Sequence, residues 1–247
     1  REAIIGLLHD EARRNSMRKQ AYIMGREMVW SNVGHLYIKS FEQARLDRAA
    51  VTRKIFATNT LDQQISHLPD IKLDHLIRMS DSTGLLQHAQ LSVPHFAEGY
   101  CTDDNARALI LTVLLEELGM ESSTLQALAY RYLAFLNNAF DPEGKQFRNF
   151  MAFARTWSEK VGSEDSQGRA LWALGTCVGR SKNTSFHTLA ARLFDQSLPS
   201  SSKFTSPRSC AFALIGIHEY LERLPGDRLV NQIRDTLTNR LLEHFKA

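Results

Sequence analysis

Apolar residues recur every three to four positions along most of the chain, which is the period of an amphipathic α-helix. Between residue 2 and about residue 46 the pattern predicts two helices, separated by a cap-like break at Asn15 and Ser16. It fades over residues 49–70, where polar and β-branched residues predict a linker. Residues 74–79 then predict a short helix, and residues 85–99 indicate either a short strand or an extended loop.

Beyond residue 100 the pattern becomes regular and predicts six helices paired into three hairpins. The first helix of each pair is apolar almost all round and rich in small residues, whereas the second carries more charge. A helix that is apolar on most sides has to be covered on several of them, so the first members are predicted to be inner and the second members outer. The predicted helices span residues 106–118, 124–139, 169–178, 188–198, 210–224 and 229–245.

This alternation predicts an all-α fold of helical hairpins of the (α/α)6-toroid type, in which hairpins surround a central axis. Six hairpins would close the ring, and about three are present, preceded by the two extra helices. Three hairpins leave the inner helices with an uncovered flank, so we expect an apolar edge that another segment or a second copy, as a homodimer, covers. Generic α-solenoids share the pattern and are an alternative. The predicted organisation has three parts: the two extra helices in residues 1–48, the linker in residues 49–70 and the hairpin domain in residues 71–247.

Composition and charge exclude several classes of protein. The chain has 247 residues, of which 43% are hydrophobic and 23% charged, as in an ordinary globular protein. A net charge of +3 does not make the concentrated field that a polyanion requires, so no nucleic-acid partner is predicted. The three cysteines are widely spaced and form no disulfide or zinc pattern, which favours a reducing, cytoplasmic setting. No window approaches the roughly 20 apolar residues of a membrane span.

The starts of the three inner helices carry the candidate chemistry. In a toroid these ends converge on one face, and acidic residues stand at two of them: Asp103 and Asp104 at one, Glu164 and Asp165 at the other. Cleavage of a glycosidic bond commonly uses one protonated carboxyl group and one ionised carboxylate, so these four residues are predicted as acid and base. The alternative is that the acidic residues only cap the helices, where the helix dipole favours negative charge.

Aromatic and hydrogen-bonding side chains crowd the same loops. Sugars are bound by flat rings and by planar amides or guanidinium groups. The predicted ligand contacts are His88, Tyr100, Arg107, Trp157, Arg169 and Arg208. By contrast, the threefold spacing of Phe147, Phe150 and Phe153 favours a place in the core.

Neither a metal nor a cofactor is predicted. The spacing of His75, His88 and His95 fits no usual metal-ligand pattern, and no cysteine joins them. The chain also lacks the glycine-rich phosphate loops of nucleotide-binding proteins.

Five runs of residues resemble a known family. They are DHL at 74–76, TGLLQHA at 83–89, GYCTDDNARA at 99–108, GSEDSQGRALWALG at 162–175 and SPR at 206–208. Together they resemble the α/α-toroid, six-hairpin-glycosidase-like domain that follows family-4 (group 1) glycosyltransferases in bacterial polypeptides. Residues 13–44 resemble the final helices of such a transferase.

The resemblance implies a carbohydrate-active domain that binds or processes a glycan or oligosaccharide, with a glycosyltransferase module as its upstream partner. The nucleotide-sugar site of that transferase would lie before Arg1, so this chain is not expected to transfer sugar from a nucleotide donor. Further hairpins would follow Ala247.

A competing hypothesis is a non-catalytic helical scaffold or protein-interaction module. It predicts that the same carboxylates are engaged in closed salt bridges with Arg107, Arg155, Arg169 or Arg208, with no open pocket.

Overall fold

The computed structural model describes residues 2–50, 71–120 and 122–246. The chain divides into two compact units, Arg1–Pro69 and Asp70–Ala247. Helices dominate both, so the predicted all-α class is confirmed. The predicted linker, residues 49–70, lies outside the described residues from residue 51 onward.

Within residues 2–50 the first unit has three helices where the sequence predicts two: α1 (Glu2–His9), α2 (Glu11–Glu27) and α3 (Trp30–Ala50). The predicted break at Asn15 and Ser16 is wrong, because both residues lie inside α2. The chain breaks instead at Asp10, whose carboxylate accepts a hydrogen bond from the amide of Arg13 (2.9 Å). A carboxylate satisfies the free amides of a helix start as well as a hydroxyl or amide group does.

The second unit begins with the short helix α4 (Asp74–Met79), followed over its described residues by six longer helices. These are α5 (Thr102–Glu117), α6 (Ser123–Ala139), α7 (Glu164–Arg180), α8 (Thr184–Ser201), α9 (Pro207–Arg223) and α10 (Arg228–Lys246). Short antiparallel strand pairs connect them: β1 (Ala89–Gln90) with β2 (Val93–Pro94), β3 (Tyr100–Cys101) with β6 (Phe150–Met151), and β4 (Phe140–Asp141) with β5 (Gln146–Phe147). None of the described helices has the length and apolarity of a membrane-spanning segment.

The longer helices form hairpins with an inner and an outer member. The inner helix α7 packs between α5 and α9, while α6, α8 and α10 each pack against the helix that precedes them. Ion pairs join Asp103 to Arg169 at one end of α5 and α7, and Glu117 to Arg180 at the other end. The two inner helices α5 and α7 are therefore parallel.

The backbones of α7 and α9 approach closely along their whole length. Gly168 near the start of α7 lies against the backbone of Ser209, and Gly179 near its end lies against the backbone of Glu219. Because the contacts advance toward the C-terminus along both helices, α9 is parallel to α7. The N-terminal ends of α5, α7 and α9 consequently lie at the same end of the unit.

Each inner helix begins before its predicted start. The first residue is Thr102 in α5, Glu164 in α7 and Pro207 in α9, against predicted starts at residues 106, 169 and 210. The first turns are mostly polar: residues 102–105 in α5, 164–167 in α7 and 207–209 in α9. Apolar periodicity cannot detect these turns because they contribute little to the core.

The phenylalanines near residue 150 do not share one environment. Phe147 is fully buried, which confirms its predicted place in the core, but Phe150 and Phe153 are 42% and 47% exposed. The core prediction is wrong for these two residues because it assumed helical spacing. The segment contains β5, β6 and a loop, and successive positions of extended chain point to opposite sides.

Candidate functional site

The starts of α5, α7 and α9 form one polar surface. Each start has a side-chain cap that accepts a hydrogen bond from a backbone amide three residues later. The caps are Cys101 (3.4 Å), Ser163 (3.2 Å) and Ser206 (3.4 Å). Because free amides and helix dipoles give helix starts partial positive charge, they favour the acidic residues that follow in α5 and α7.

Ion pairs link α5 to α7. Asp103 pairs with Arg107 of its own helix through one carboxylate oxygen and with Arg169 of α7 through the other. Asp104 pairs with Arg107 as well, at 3.0 Å. Two carboxylates and two guanidinium groups thus alternate across the junction of these helices.

A further ion pair links α7 to α9. One oxygen of Asp165 accepts a hydrogen bond from Arg208, and the other accepts one from the hydroxyl of Ser209 at 2.6 Å. The two arginines that pair between helices differ in solvent exposure: the side chain of Arg208 is 70% exposed and that of Arg169 is 19% exposed. Arg169 also lies over the ring of Phe212, 4.1 Å from its centroid, which fixes the plane of its guanidinium group.

These side chains surround a cavity of about 470 Å³ that is open to solvent. The volume lies in the range of ordinary ligand pockets. Its lining consists of Gln87, His88, Cys101, Asp103, Asp104, Arg107, Asn149, Phe150, Ser163, Asp165, Ser166, Arg169 and Arg208. Residues more than 100 positions apart in the chain therefore meet at one site.

Seven of the ten predicted site residues lie in this lining, and three do not. The seven are His88, Asp103, Asp104, Arg107, Asp165, Arg169 and Arg208. The three that the structure places elsewhere are Tyr100, Trp157 and Glu164. Each of these has a structural partner that accounts for its position.

Tyr100 is 1% exposed and lies beneath the site. Its hydroxyl donates a hydrogen bond to Asp81 at 2.5 Å. Burial and this carboxylate raise the pKa of Tyr100 to about 12. Burial by itself would raise the pKa of Asp81, but hydrogen bonds from Tyr100 and from two backbone amides hold that pKa below its usual value. Tyr100 thus serves to fix the loop around Asp81.

Glu164 and Trp157 also make intramolecular contacts. The carboxylate of Glu164 accepts hydrogen bonds from the backbone amides of Thr205 and Ser206, both at 2.8 Å, and so holds the loop before α9. Trp157 packs against Phe135, with ring centroids 5.7 Å apart, and Arg148 covers its face. Neither Glu164, predicted as an acid or base, nor Trp157, predicted as a ligand contact, therefore lines the cavity.

Asn149 and Phe150 line the cavity although neither is among the ten predicted site residues. Asn149 is 7% exposed, and its side-chain oxygen accepts a hydrogen bond from the amide of Asp103 (3.4 Å). Phe150 presents a half-exposed ring to the cavity, as the pairing of β3 with β6 requires. Strand pairs of two residues are too short to produce an alternating pattern of polar and apolar positions. The sequence pattern therefore could not show that Asn149 and Phe150 face the cavity.

Cys101 lines the cavity with a thiol whose surroundings disfavour the thiolate. Its thiol donates a hydrogen bond to Asp104 at 3.0 Å. Burial, together with the negative charge of Asp104, raises the pKa of the thiol. Because the thiolate is the reactive form of cysteine, this thiol is held in its unreactive state.

The cavity combines many hydrogen-bond donors with many acceptors. Each carboxylate oxygen has two acceptor sites and each guanidinium group has five N–H donors, so the ion pairs leave further positions for a ligand. A carboxyl group that protonates a glycosidic oxygen must first hold the proton, whereas a guanidinium partner favours the ionised form. Within the described residues, no three His, Cys, Asp or Glu side chains lie close enough together to hold a metal ion.

Comparison with protein-family models, with curated proteins and with solved structures finds no match for this chain.

Proposed function

We propose that the second unit binds a glycan in the cavity at the start of α5, α7 and α9. The observation that carries the proposal is the alternation of Asp103, Arg169, Asp165 and Arg208 from helix to helix around one open cavity. Neighbouring hydroxyl groups of a sugar match such an alternation, since each hydroxyl both donates and accepts hydrogen bonds. The half-exposed ring of Phe150 supplies an apolar surface for the C–H face of the sugar.

The resemblance to toroid domains attached to glycosyltransferases supports a glycan as the ligand. In this proposal the three hairpins are part of an α/α toroid, and residues 1–48 are the terminal helices of the transferase module. The bound glycan is then the product or the acceptor of that module. Hydrolysis by Asp103, Asp104 or Asp165 is not included, because these carboxylates are ion-paired with arginines or hydrogen-bonded to neighbours.

Binding of oligosaccharides to the full chain tests the proposal. Wild-type protein is applied to an array of neutral and acidic oligosaccharides, and each ligand found is measured by calorimetry. The variant Arg208→Ala removes an exposed cavity arginine and is expected to weaken binding at least about 10-fold, the loss of one charge-assisted hydrogen bond. The matched control is Arg234→Ala, because Arg234 pairs with Asp235 on the surface of α10. Absence of binding to every oligosaccharide, or equal binding by both variants, contradicts the proposal.

A scaffold function is the second candidate, and the ion pairs themselves favour it. Asp103–Arg169 and Asp165–Arg208 connect consecutive inner helices, as structural ion pairs would. In a scaffold the loss of Arg208 lowers the free energy of unfolding without changing the binding of any sugar. Thermal unfolding of Arg208→Ala, measured beside its sugar binding, therefore separates the two functions.

A further inference from the structure

We infer that the ligand of this cavity is a neutral glycan rather than an acidic one, an inference that rests on the proposed glycan binding. The charged side chains of the lining balance one another. The three carboxylates are Asp103, Asp104 and Asp165, and the three guanidinium groups are Arg107, Arg169 and Arg208. The other titratable groups of the lining are His88 and the protonated thiol of Cys101.

The partial positive charge of the helix starts does not create a binding site for an anionic ligand. Partial positive charge at a helix start attracts an anion only where no acidic group already occupies the site. The first turns of α5 and α7 carry their own carboxylates. At α9 the carboxylate of Glu164 accepts hydrogen bonds from the amides of Thr205 and Ser206, just before the helix begins. All three helix starts are thus already matched by acidic side chains.

An acidic sugar would have to compete with these internal carboxylates for the arginines. The side chains of Asp103 and Asp165 are 23% and 26% exposed, so removing an arginine from either leaves a partly buried carboxylate without its partner. Such a separation is unfavourable, and the carboxylate of the sugar would then lie near three others.

A neutral sugar avoids this cost. Its hydroxyl groups donate to the second acceptor sites of the carboxylates and accept from the remaining N–H groups of the arginines, with every ion pair intact. The fixed guanidinium of Arg169, stacked on Phe212, keeps this arrangement in place when a ligand binds. The geometry therefore favours vicinal hydroxyl groups over a carboxylate or sulfate group.

Pairs of oligosaccharides that differ only in the group at C6, neutral in one member and a carboxylate in the other, test the inference on the full chain. The probes are β-1,4-linked mannotetraose against tetramannuronate, and the methyl ester of tetragalacturonate against the free acid. We expect at least one neutral member to bind at least about 10-fold more tightly than its acidic counterpart. Its affinity should change less than about 2-fold between 50 and 500 mM NaCl, because salt screens only charged partners. Tighter, salt-sensitive binding of the acidic members overturns the inference and leaves glycan binding standing. If none of these sugars nor any on the array binds, the proposed function itself fails.

The variant Asp165→Asn supplies an independent readout. It keeps an oxygen that can accept the hydrogen bond from Ser209 but leaves Arg208 without a charged partner. We expect the preference for the neutral sugar to fall several-fold in this variant, since the cavity gains net positive charge. The control Asp235→Asn removes an exposed carboxylate on α10 and should leave the preference unchanged. An unchanged preference in folded Asp165→Asn, verified by circular dichroism, shows that charge balance does not select the ligand and overturns the inference.

Discussion

Gly175 of α7 and Gly216 of α9 face each other where the two inner helices touch. A Cβ atom on Gly175 would overlap the carbonyl oxygen of Gly216, and one on Gly216 would overlap the carbonyl group of Leu171. The absence of side chains at both positions lets the backbones approach, and this proximity places the start of α9 beside the start of α7. The spacing of Asp165 and Arg208 in the cavity depends on it.

Gly216→Ala is expected to lower the free energy of unfolding by about 3 kcal/mol, since backbone atoms in a packed interface cannot move aside as a flexible side chain can. Urea denaturation followed by circular dichroism measures the change. The control is Gly226→Ala, because a Cβ atom there meets nothing within 4 Å. A change within about 0.5 kcal/mol is expected for the control. If Gly216→Ala is as stable as Gly226→Ala, the helices are not held at this distance by their glycines.

The side-chain amide of Gln167 makes two hydrogen bonds to the backbone of Phe147. It accepts one from the amide of Phe147 at 2.8 Å and donates one to its carbonyl oxygen at 2.5 Å. Gln167 is 2% exposed. The carbonyl oxygen of Phe147 also accepts a hydrogen bond from the amide of Gly162 at 2.8 Å, so Gln167→Leu leaves the buried amide of Phe147 without its partner. We expect a loss of about 1 to 3 kcal/mol in unfolding free energy.

Chemical denaturation of Gln167→Leu beside Gln196→Leu tests this expectation. Gln196 is exposed in α8, and its replacement should have little effect. At an acid pH the variant Gln167→Glu has a protonated carboxyl group, which can accept from the amide of Phe147 and donate to its carbonyl oxygen, so its stability there should exceed that of Gln167→Leu. Equal stability of the wild type and Gln167→Leu would show that water or another group replaces the amide.

The sequence predicts helices and their inner or outer places well, because these depend on the periodic burial of apolar side chains. It also predicts that Asp103 and Asp165 lie close together, since parallel inner helices bring their starts to one end of the unit. It could not reveal whether a polar side chain lines the cavity or accepts hydrogen bonds from the backbone of a neighbouring loop. Glu164 and Asp165 are adjacent, yet one holds the loop before α9 and the other lines the cavity. That choice depends on the rotation of the helix to within one residue, which periodicity does not fix.

The reactivity of the three thiols tests whether the cysteines are buried. The three cysteines, Cys101, Cys177 and Cys210, are at most 5% exposed, and burial raises the pKa of each thiol. We expect native protein to react with Ellman's reagent at least about 100-fold more slowly than a free thiol, because the reagent needs an accessible thiolate. All three should react at once in denaturant.

The variant Thr238→Cys provides the positive control, since Thr238 is exposed on α10. One equivalent should react rapidly in that variant. Rapid reaction of the wild type, lost in Cys101→Ser, would show instead that Cys101 is an accessible nucleophile in the cavity. Cys101→Ser should also retain the fold, since a serine hydroxyl caps a helix better than a thiol does.

Because of the hydrogen bond from Tyr100 to Asp81, the free energy of unfolding should fall as the pH becomes alkaline. Burial and the neighbouring carboxylate raise the pKa of Tyr100 from 10.0 to about 12. The folded protein then holds the phenolic proton more tightly than the unfolded chain does. The stabilisation is therefore complete below pH 10 and is lost as the pH rises toward about 12.

Comparing the wild type with Tyr100→Phe isolates this effect, because the other tyrosines and the cysteines titrate in both proteins. At pH 7 the variant should be less stable by about 1.5 to 3 kcal/mol, the usual contribution of a hydrogen bond to a charged group. Urea denaturation at intervals from pH 7 to pH 12 should show the difference shrinking above pH 10, as the unfolded wild-type chain releases its proton. A difference that stays constant over this range would mean that the phenol of Tyr100 titrates alike in the folded and unfolded states, so that neither burial nor Asp81 perturbs it. The loop beneath the cavity would then be held by the backbone hydrogen bonds of Asp81 rather than by Tyr100.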